Sequence, residues 1–199
     1  MLIILSTLVV VTVQQWTPQD YPNPRNNYKQ CKMVFSSNIC DPDEAFDMSG
    51  RLRLNHEMRQ MTERTSSGNK WCTRKGMDAT LAIVRQGTQQ FANGLRDSWN
   101  TDDQCKNSAV FLWSSNNRQL YFARRPNAVL QDAEFQAILR AHSKDIQTGS
   151  ALALANIFKE MGRKGEWTTP GSATTKRSAS SVLFYGVTAL AIALSLIIP

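Results

Sequence analysis

The two ends of this chain of 199 residues are apolar and carry no charged side chain. Residues 1–13 and residues 182–199 contain no Lys, Arg, Asp or Glu. Uncharged runs of this kind cross a membrane, direct a chain to it, or pack inside a core. The mean hydropathy of the whole chain is −0.36, and this average does not reveal the two apolar ends. The residues between them therefore supply the folded domain, which is large enough for one hydrophobic core and small enough to gain from disulfides.

The N-terminal run has the length of the apolar region of a secretory signal peptide. Gln14 and Gln15 follow it directly, so a cleavage site would lie between Val13 and Gln15. A buried strand or a membrane anchor is the alternative, because no basic residue precedes the run. We interpret residues 1–15 as a signal peptide, which predicts an extracellular protein.

The C-terminal run allows two kinds of membrane attachment. As a helix with a rise of about 1.5 Å per residue, residues 182–199 would span roughly 27 Å, just enough for one crossing. Lys176 and Arg177 precede the run and no basic residue follows it, although a single-pass protein with an extracellular domain favours basic residues after the span. A glycosylphosphatidylinositol (GPI) signal fits better, with small residues at 171–173, a polar spacer at 174–181 and an apolar end. A single-pass helix and a buried core helix stay as the alternatives.

The chain has four cysteines and no Cys-x-x-Cys pair, which in an oxidising compartment favours two disulfides over a metal site. The cysteines are Cys31, Cys40, Cys72 and Cys105. Of the three possible connectivities, we favour Cys31 with Cys40, which closes a short loop, and Cys72 with Cys105. The two histidines, His56 and His142, have no useful spacing from the cysteines for zinc. We therefore expect neither a metal nor a cofactor.

The middle of the chain predicts one domain with a segment before it and a stalk after it. Residues 16–43 are rich in Pro, Asn and Asp and predict an irregular N-terminal segment pinned by a disulfide. Residues 44–164 alternate between helical and strand periodicity, which predicts an α/β sandwich with a short central sheet flanked by helices. The predicted order α-β-α-β-β-α-α has helices at about 43–65 and 91–99, strands at 79–84, 109–113 and 120–123, and helices at 135–146 and 154–161. Residues 165–181, rich in Gly, Ser, Thr and Pro, predict the stalk.

No assembled catalytic site is apparent. The motifs of phosphate-loop enzymes, serine hydrolases and zinc proteases do not occur in the sequence. Three acidic residues are weak candidates for a divalent-cation site, because hard cations prefer carboxylate oxygens. They are Asp43, Asp102 and Asp103. Each has a structural interpretation as well, as a helix cap or as part of an exposed turn.

The formal net charge is +7. The basic pairs Arg74-Lys75 and Arg124-Arg125 are not interleaved with stacking aromatic residues, so no nucleic-acid partner is expected. The charge suits an acidic partner or the anionic cell surface, or it belongs to a solvated face.

Several motifs of the chain resemble one known family. They are Trp-Thr-Pro-Gln-Asp-Tyr-Pro-Asn-Pro at 16–24, Ile-Cys-Asp-Pro-Asp at 39–43, Asp-Asp-Gln-Cys at 102–105, and Val-Phe-Leu-Trp-Ser-Ser-Asn-Asn-Arg-Gln-Leu-Tyr at 110–121. Together they resemble the modulator of levamisole receptor family, which comprises nematode-type extracellular proteins built on a TPM domain. The resemblance extends over about residues 16–164.

The resemblance implies a TPM-like domain that lies outside the cell, at the plasma membrane. It implies an auxiliary subunit of a pentameric acetylcholine-gated channel of the levamisole type, which raises the response of the channel without being an enzyme. For contact with the channel, Trp16 and Tyr21 are the expected residues, since exposed aromatic side chains are favoured at interfaces. Packing of both rings onto the domain is the alternative.

The wider TPM group also implies a second function, a secreted phosphatase or hydrolase with a divalent-cation site. In those proteins the loop before the second strand offers an Asp-Asn-Gly step. The corresponding residues here are Lys106-Asn107-Ser108, which replace the carboxylate by a cation. This replacement disfavours the enzyme and leaves the binding protein as the main prediction.

Overall fold

The computed structural model of the chain describes residues 15–164. The predicted signal peptide up to residue 14, the stalk at 165–181 and the C-terminal apolar run at 182–199 lie outside the described residues. Between residues 15 and 164, none of the helices combines the length and the apolar character that a membrane crossing requires.

Four strands form one mixed sheet in the order β1-β2-β3-β4. They are β1 (Ile39–Cys40), β2 (Asp78–Val84), β3 (Ser108–Ser114) and β4 (Gln119–Arg124). The first three strands are parallel, and β4 runs antiparallel to β3. β2 and β3 are buried along nearly their whole length, as expected for apolar central strands that are covered on both faces.

Helices cover both faces of this sheet. They are α1 (Met48–Arg64), α2 (Trp71–Lys75), α3 (Gln89–Trp99), α4 (Asp132–Ala141), α5 (Ser143–Thr148) and α6 (Ala151–Lys164). α3 packs against β3 and β4 on one face. On the other face, the ring of Phe111 in β3 lies 6.2 Å from that of Phe135 in α4 and 5.1 Å from that of Phe158 in α6, measured between centroids. The predicted α/β class, with a short sheet flanked by helices, is confirmed.

Three details differ from the prediction. β1 has two residues and α2 has five, too few for a hydrophobic period to reveal them. α1 begins at Met48 and not near residue 43. The single helix predicted over 135–146 is divided at His142 into α4 and α5.

α1 begins later than predicted because Asp47 caps the helix, whereas Asp41 stabilises the loop before it. Asp47 is the N-cap, and its Oδ1 accepts a hydrogen bond from the backbone N–H of Gly50 at 2.7 Å. Asp41 is fully buried and stabilises the preceding loop, because its carboxylate accepts hydrogen bonds from the backbone N–H groups of Ala45 and Phe46, both at 2.9 Å. Burial raises the pKa of the Asp41 carboxyl group, while these hydrogen bonds oppose the shift.

α1 and α6 pack side by side and run in the same direction. Near their starts, a Cβ atom on Gly50 would lie 3.0 Å from the Cβ atom of Ala151. Near their ends, a Cβ atom on Gly162 would lie 3.2 Å from Cδ of Arg64. The two small residues therefore allow a close approach along the whole pair, and both helices end on the same side of the domain.

Two disulfides attach peripheral segments to neighbouring parts of the domain. Cys31 is joined to Cys40, which attaches the N-terminal segment to β1. Cys72 is joined to Cys105, which attaches α2 to the loop before β3. This is the connectivity that the sequence favoured.

The hydroxyl group of Tyr21 lies between β1 and β2 where β1 ends. The backbone N–H of Ile83 donates to this hydroxyl oxygen at 3.0 Å. The oxygen also lies 2.9 Å from the carbonyl oxygen of Cys40 and 2.7 Å from that of Ile83, and its proton can be donated to either. In a continued parallel ladder the Ile83 amide would bond directly to the Cys40 carbonyl, so the tyrosine bridges the gap between the two strands. Burial raises the pKa of this phenol, which keeps it a neutral donor.

His142 connects α4 and α5 to α6. Its Nδ1 lies 2.8 Å from a carboxylate oxygen of Asp145, and its Nε2 lies 2.7 Å from one of Glu160. Only a protonated imidazole can donate to both carboxylates. Hydrogen bonding to Asp145 and then to Glu160 accordingly raises the pKa of His142 above its ordinary value of 6.5.

We predict that Tyr21→Phe destabilises the domain. The change leaves the Ile83 amide and the Cys40 carbonyl unpaired in the interior, which costs about 1–3 kcal/mol. The free energy of unfolding from urea titrations measures this loss. Tyr121→Phe is the control, because the Tyr121 hydroxyl bonds only to the exposed side chain of Gln119, and it should cost less than about 0.5 kcal/mol. Equal losses for the two variants would contradict the bridging role.

We also predict a pH-dependent contribution from His142. Since its pKa is higher in the folded chain than in the unfolded one, the contribution is complete below pH 6.5 and is lost as the pH rises through the raised pKa. The groups are partly solvated, so its size is less than about 1 kcal/mol. The difference in unfolding free energy between the wild type and His142→Gln should therefore shrink from pH 5.5 to pH 8.5. A difference that stays constant over this range would argue against the protonated imidazole.

Candidate functional site

β2 and β3 both end at one side of the sheet, which we call the carboxyl edge. Ligand sites of open α/β sheets form at this edge, because the loops that follow the strands meet there. A cavity of about 310 Å³ lies at this position. Its lining includes Trp16, Asp43, Val84, Arg85, Gln86 and Asn116. This volume is at the lower end of the range for small-molecule sites.

Trp16 forms one wall of the cavity and is half-buried. Its indole Nε1 donates a hydrogen bond to Oδ1 of Asp43 at 3.1 Å. The ring also meets that of Tyr21 edge to face, with centroids 5.6 Å apart and planes at 80°. The indole is thus held in one orientation while part of it stays open to solvent.

Tyr21 is not the exposed aromatic anchor that the sequence suggested. Only 3% of the residue is exposed. Its hydroxyl is bonded between β1 and β2, and its ring packs against Phe91 and Trp99 of α3, with centroids 5.9 and 6.0 Å away. Tyr21 therefore acts on the cavity only indirectly, by supporting the indole of Trp16.

Asp43 and Arg85 supply the charges of the cavity. Oδ2 of Asp43 lies 3.9 Å from Nε of Arg85, and the Arg85 side chain is 56% exposed. The neighbouring carboxylate of Asp41 does not reach the cavity surface, because it is buried against the loop that it stabilises. The cavity thus combines one carboxylate, one exposed cation and one indole. Such a set can bind polar groups, and it does not pair a nucleophile with a general base.

Asp102 and Asp103 lie at the opposite side of the sheet from Asp43, in the loop that leads into β3. Oδ1 of Asp102 lies 2.5 Å from Nζ of Lys75, and Oδ2 accepts a hydrogen bond from the backbone N–H of Asn107 at 2.9 Å. Asp103 is exposed. The structure therefore does not bring the three candidate metal ligands together. Over residues 15–164, no group of three or more His, Cys, Asp or Glu side chains is placed to hold a metal ion.

Sequence reasoning missed the polar residues that line the cavity just after β2 and β3. Arg85 and Gln86 directly follow β2, and Asn116 lies just after β3. Strand ends that share one edge converge in space, and this rule, applied to the predicted strands, would have indicated all three.

The fold resembles that of two solved bacterial domains. One is the solution NMR structure of the N-terminal domain of a protein from P. gingivalis, with a TM-score of 0.57 at 13% sequence identity, covering 76% of this chain and 92% of that chain. The other is the N-terminal domain of the cg2496 protein from Corynebacterium glutamicum, with a TM-score of 0.44 at 13% identity, covering 68% and 86%. The first likeness shows a shared fold. A search of curated proteins found no match.

The sequence also matches a known family. Residues 16–118 match the family described as "Modulator of levamisole receptor-1". This stretch is more than half of the chain and contains all four cysteines, Trp16, and the loops that follow β2 and β3. The resemblance seen in the motifs is confirmed: the chain belongs to the modulator of levamisole receptor-1 family.

Proposed function

We propose that this protein is a non-enzymatic, extracellular auxiliary protein that binds acetylcholine-gated channels of the levamisole type and raises their response. Family membership over residues 16–118 is the observation that carries the proposal. Two disulfides support the extracellular location, because such bonds persist in oxidising compartments. The proposal includes attachment to the cell surface, either by a GPI anchor added near residues 171–173 when the apolar C-terminal run is removed, or by a single-pass helix at 182–199.

The carboxyl edge has the composition of a protein contact site. A half-exposed indole, that of Trp16, lies in a concave surface with the polar side chains of Arg85 and Asn116 around it. Aromatic anchors with a polar rim are typical of the central part of protein interfaces. The indole is already fixed by Asp43 and Tyr21, so little conformational entropy is lost when a partner covers it.

The contacts of the acidic residues support binding over hydrolysis. Asp43 accepts from Trp16 and lies near Arg85, and Asp102 is engaged by Lys75 and Asn107. Carboxylates held in this way by internal partners would have to give them up before binding a divalent cation. No observation in the described residues specifically favours the phosphatase alternative.

Positive modulation requires a difference in affinity between two states of the channel. An auxiliary protein that binds the open state better than the closed state shifts the gating equilibrium by that difference alone. A preference of about 1.4 kcal/mol changes the equilibrium constant tenfold. One well-packed interface side chain that is covered only in the open state is enough to supply it.

We predict that co-expression of the full chain with a levamisole-type receptor in oocytes increases the acetylcholine-evoked current. Surface receptor must be quantified in parallel, because gating modulation raises the current per receptor while assisted assembly raises the receptor number. A larger current at unchanged surface receptor supports the proposal. No change in current, together with no co-purification with the receptor, would refute it for that receptor.

We further predict that Trp16→Ala weakens the modulation. Loss of an interface anchor costs about 2 kcal/mol of binding free energy, so the increase in current should fall at a fixed amount of expressed protein. Tyr28→Ala is the matched control, since Tyr28 is also half-buried in the N-terminal segment but does not line the cavity. Both variants should reach the cell surface in similar amounts. If the two variants modulate equally, Trp16 is not the anchor.

A further inference from the structure

The side of the sheet at which β2 and β3 begin, which we call the amino edge, has a character different from that of the carboxyl edge. α1 ends here, since the Thr62 hydroxyl donates to the carbonyl of Met77, just before β2, at 2.9 Å. α6 ends here as well, because its last turn packs against Arg64 at the end of α1. α2 packs on the same end, where the Ser67 amide donates to the Thr73 carbonyl at 2.9 Å.

Trp71 is the first residue of α2, and 59% of it is exposed. No residue of α2 is buried, so this helix contributes nothing to the hydrophobic core. The guanidinium carbon of Arg74 lies 5.9 Å from the centroid of the Trp71 ring. This cation–π contact holds a cation beside an exposed indole, and indoles are enriched at the boundary between lipid headgroups and acyl chains.

Three cations at the amino edge are free to bind an anionic surface. Lys70, Arg74 and Arg163 are exposed and form no salt bridge with any of residues 15–164. Two acidic residues at this edge are paired, Asp78 with Arg25 and Asp102 with Lys75. Glu63 and Asp103 are exposed without a salt bridge among residues 15–164, but the three cations outnumber them. The exposed surface near α2 is therefore positive, and phosphate groups complement it.

A second apolar element lies at the same edge. Val34 and Phe35 are 67% and 42% exposed. Their loop is placed by Ser36, whose hydroxyl donates to the carbonyl of Arg25 at 3.0 Å, and Arg25 in turn pairs with Asp78, the first residue of β2. Of the six large apolar side chains that are exposed among residues 15–164, three are at the amino edge: Val34, Phe35 and Trp71.

The chain itself leaves the domain at this edge. α6 ends at Lys164, and the uncharged residues 182–199 come after the intervening segment. A membrane attachment in the residues after Lys164, by a GPI anchor or by a helix, therefore follows the amino edge along the chain, and not the carboxyl edge.

We propose that the amino edge docks on the surface of the phospholipid bilayer. Trp71 enters the boundary between headgroups and acyl chains, with Val34 and Phe35 as further apolar contacts, and Lys70, Arg74 and Arg163 bind lipid phosphates. This inference rests on the membrane attachment within the proposed function, but it does not require a channel. It predicts a fixed orientation in which the Trp16 cavity faces away from the lipid.

The test uses the full chain reconstituted into vesicles of phosphatidylcholine, because an extracellular domain faces the outer leaflet and the anionic phosphatidylserine belongs to the cytoplasmic one. The emission of Trp71 is isolated by subtracting the spectrum of Trp71→Phe from that of the wild type. We expect this difference spectrum to shift to shorter wavelength relative to detergent solution and to lose more than half of its intensity when the lipids carry brominated acyl chains. The corresponding difference for Trp16→Phe should show neither change.

The charge requirement is tested with Lys70→Glu/Arg74→Glu, which should abolish the quenching of Trp71. Arg53→Glu/Lys144→Glu is the matched control, because both side chains are exposed, unpaired among residues 15–164 and not at the amino edge, and the charge change is the same. The near-ultraviolet circular dichroism of both double variants should equal that of the wild type, which shows that the charge changes leave the fold intact.

Three outcomes overturn the proposal. The full chain does not associate with vesicles, or Trp71 stays open to aqueous acrylamide in vesicles as in detergent, or Trp71 becomes protected only after a receptor is added. The last result would assign the edge to an acidic protein surface. The first two measurements contain no receptor, so a negative result in either of them does not contradict the predicted effect on channel current. A negative current assay, in turn, does not contradict the proposed lipid contact.

Discussion

The Tyr21 hydroxyl group between β1 and β2 is the contact on which the N-terminal part of the structure depends. β1 has only two residues, so its own ladder provides few hydrogen bonds to hold residues 16–43 on the sheet. The hydroxyl extends this ladder by a bridge to Ile83, and the disulfide between Cys31 and Cys40 ties the segment to β1 from its other side. Because the ring of Tyr21 also supports the indole of Trp16, one buried phenol fixes both the attachment of the segment and the wall of the cavity.

Elements whose sequence signal is local could be predicted, and elements defined by distant partners could not. β2 and β3 contain runs of consecutive apolar residues, and a run of this length favours a strand that is covered on both faces. β1 is a strand solely because the edge of β2 is beside it. The start of α1 was uncertain because Asp41, Asp43 and Asp47 all suit a cap, and burial of Asp41 under its own loop is a tertiary fact.

The site shows the same limit. Trp16 and Tyr21 belong to one motif and look equivalent in the sequence, since both are large, aromatic and carry one polar group. The two side chains differ in burial. The Tyr21 hydroxyl bonds to backbone groups of two buried strands, whereas the Trp16 indole bonds to a single carboxylate near the surface. The pairing of β1 with β2, which the sequence does not reveal, determines that Tyr21 is the buried residue of the two. Arg85, in contrast, was accessible to prediction, because its position directly after a strand is a local property.

The directions of α1 and α6 determine at which edge of the sheet the chain leaves the domain. α1 follows β1 and returns antiparallel to the strands, and α6 packs parallel to α1, so the chain has to leave at the amino edge. Over distances greater than about 8 Å, charges at physiological ionic strength are screened, so each edge presents only its own surface groups to a partner. At the carboxyl edge, Asp43 and Arg85 nearly cancel around an indole, whereas at the amino edge Lys70 and Arg74 are uncompensated beside another. The two edges of the domain thus present chemically different surfaces, one nearly neutral around Trp16 and one basic around Trp71.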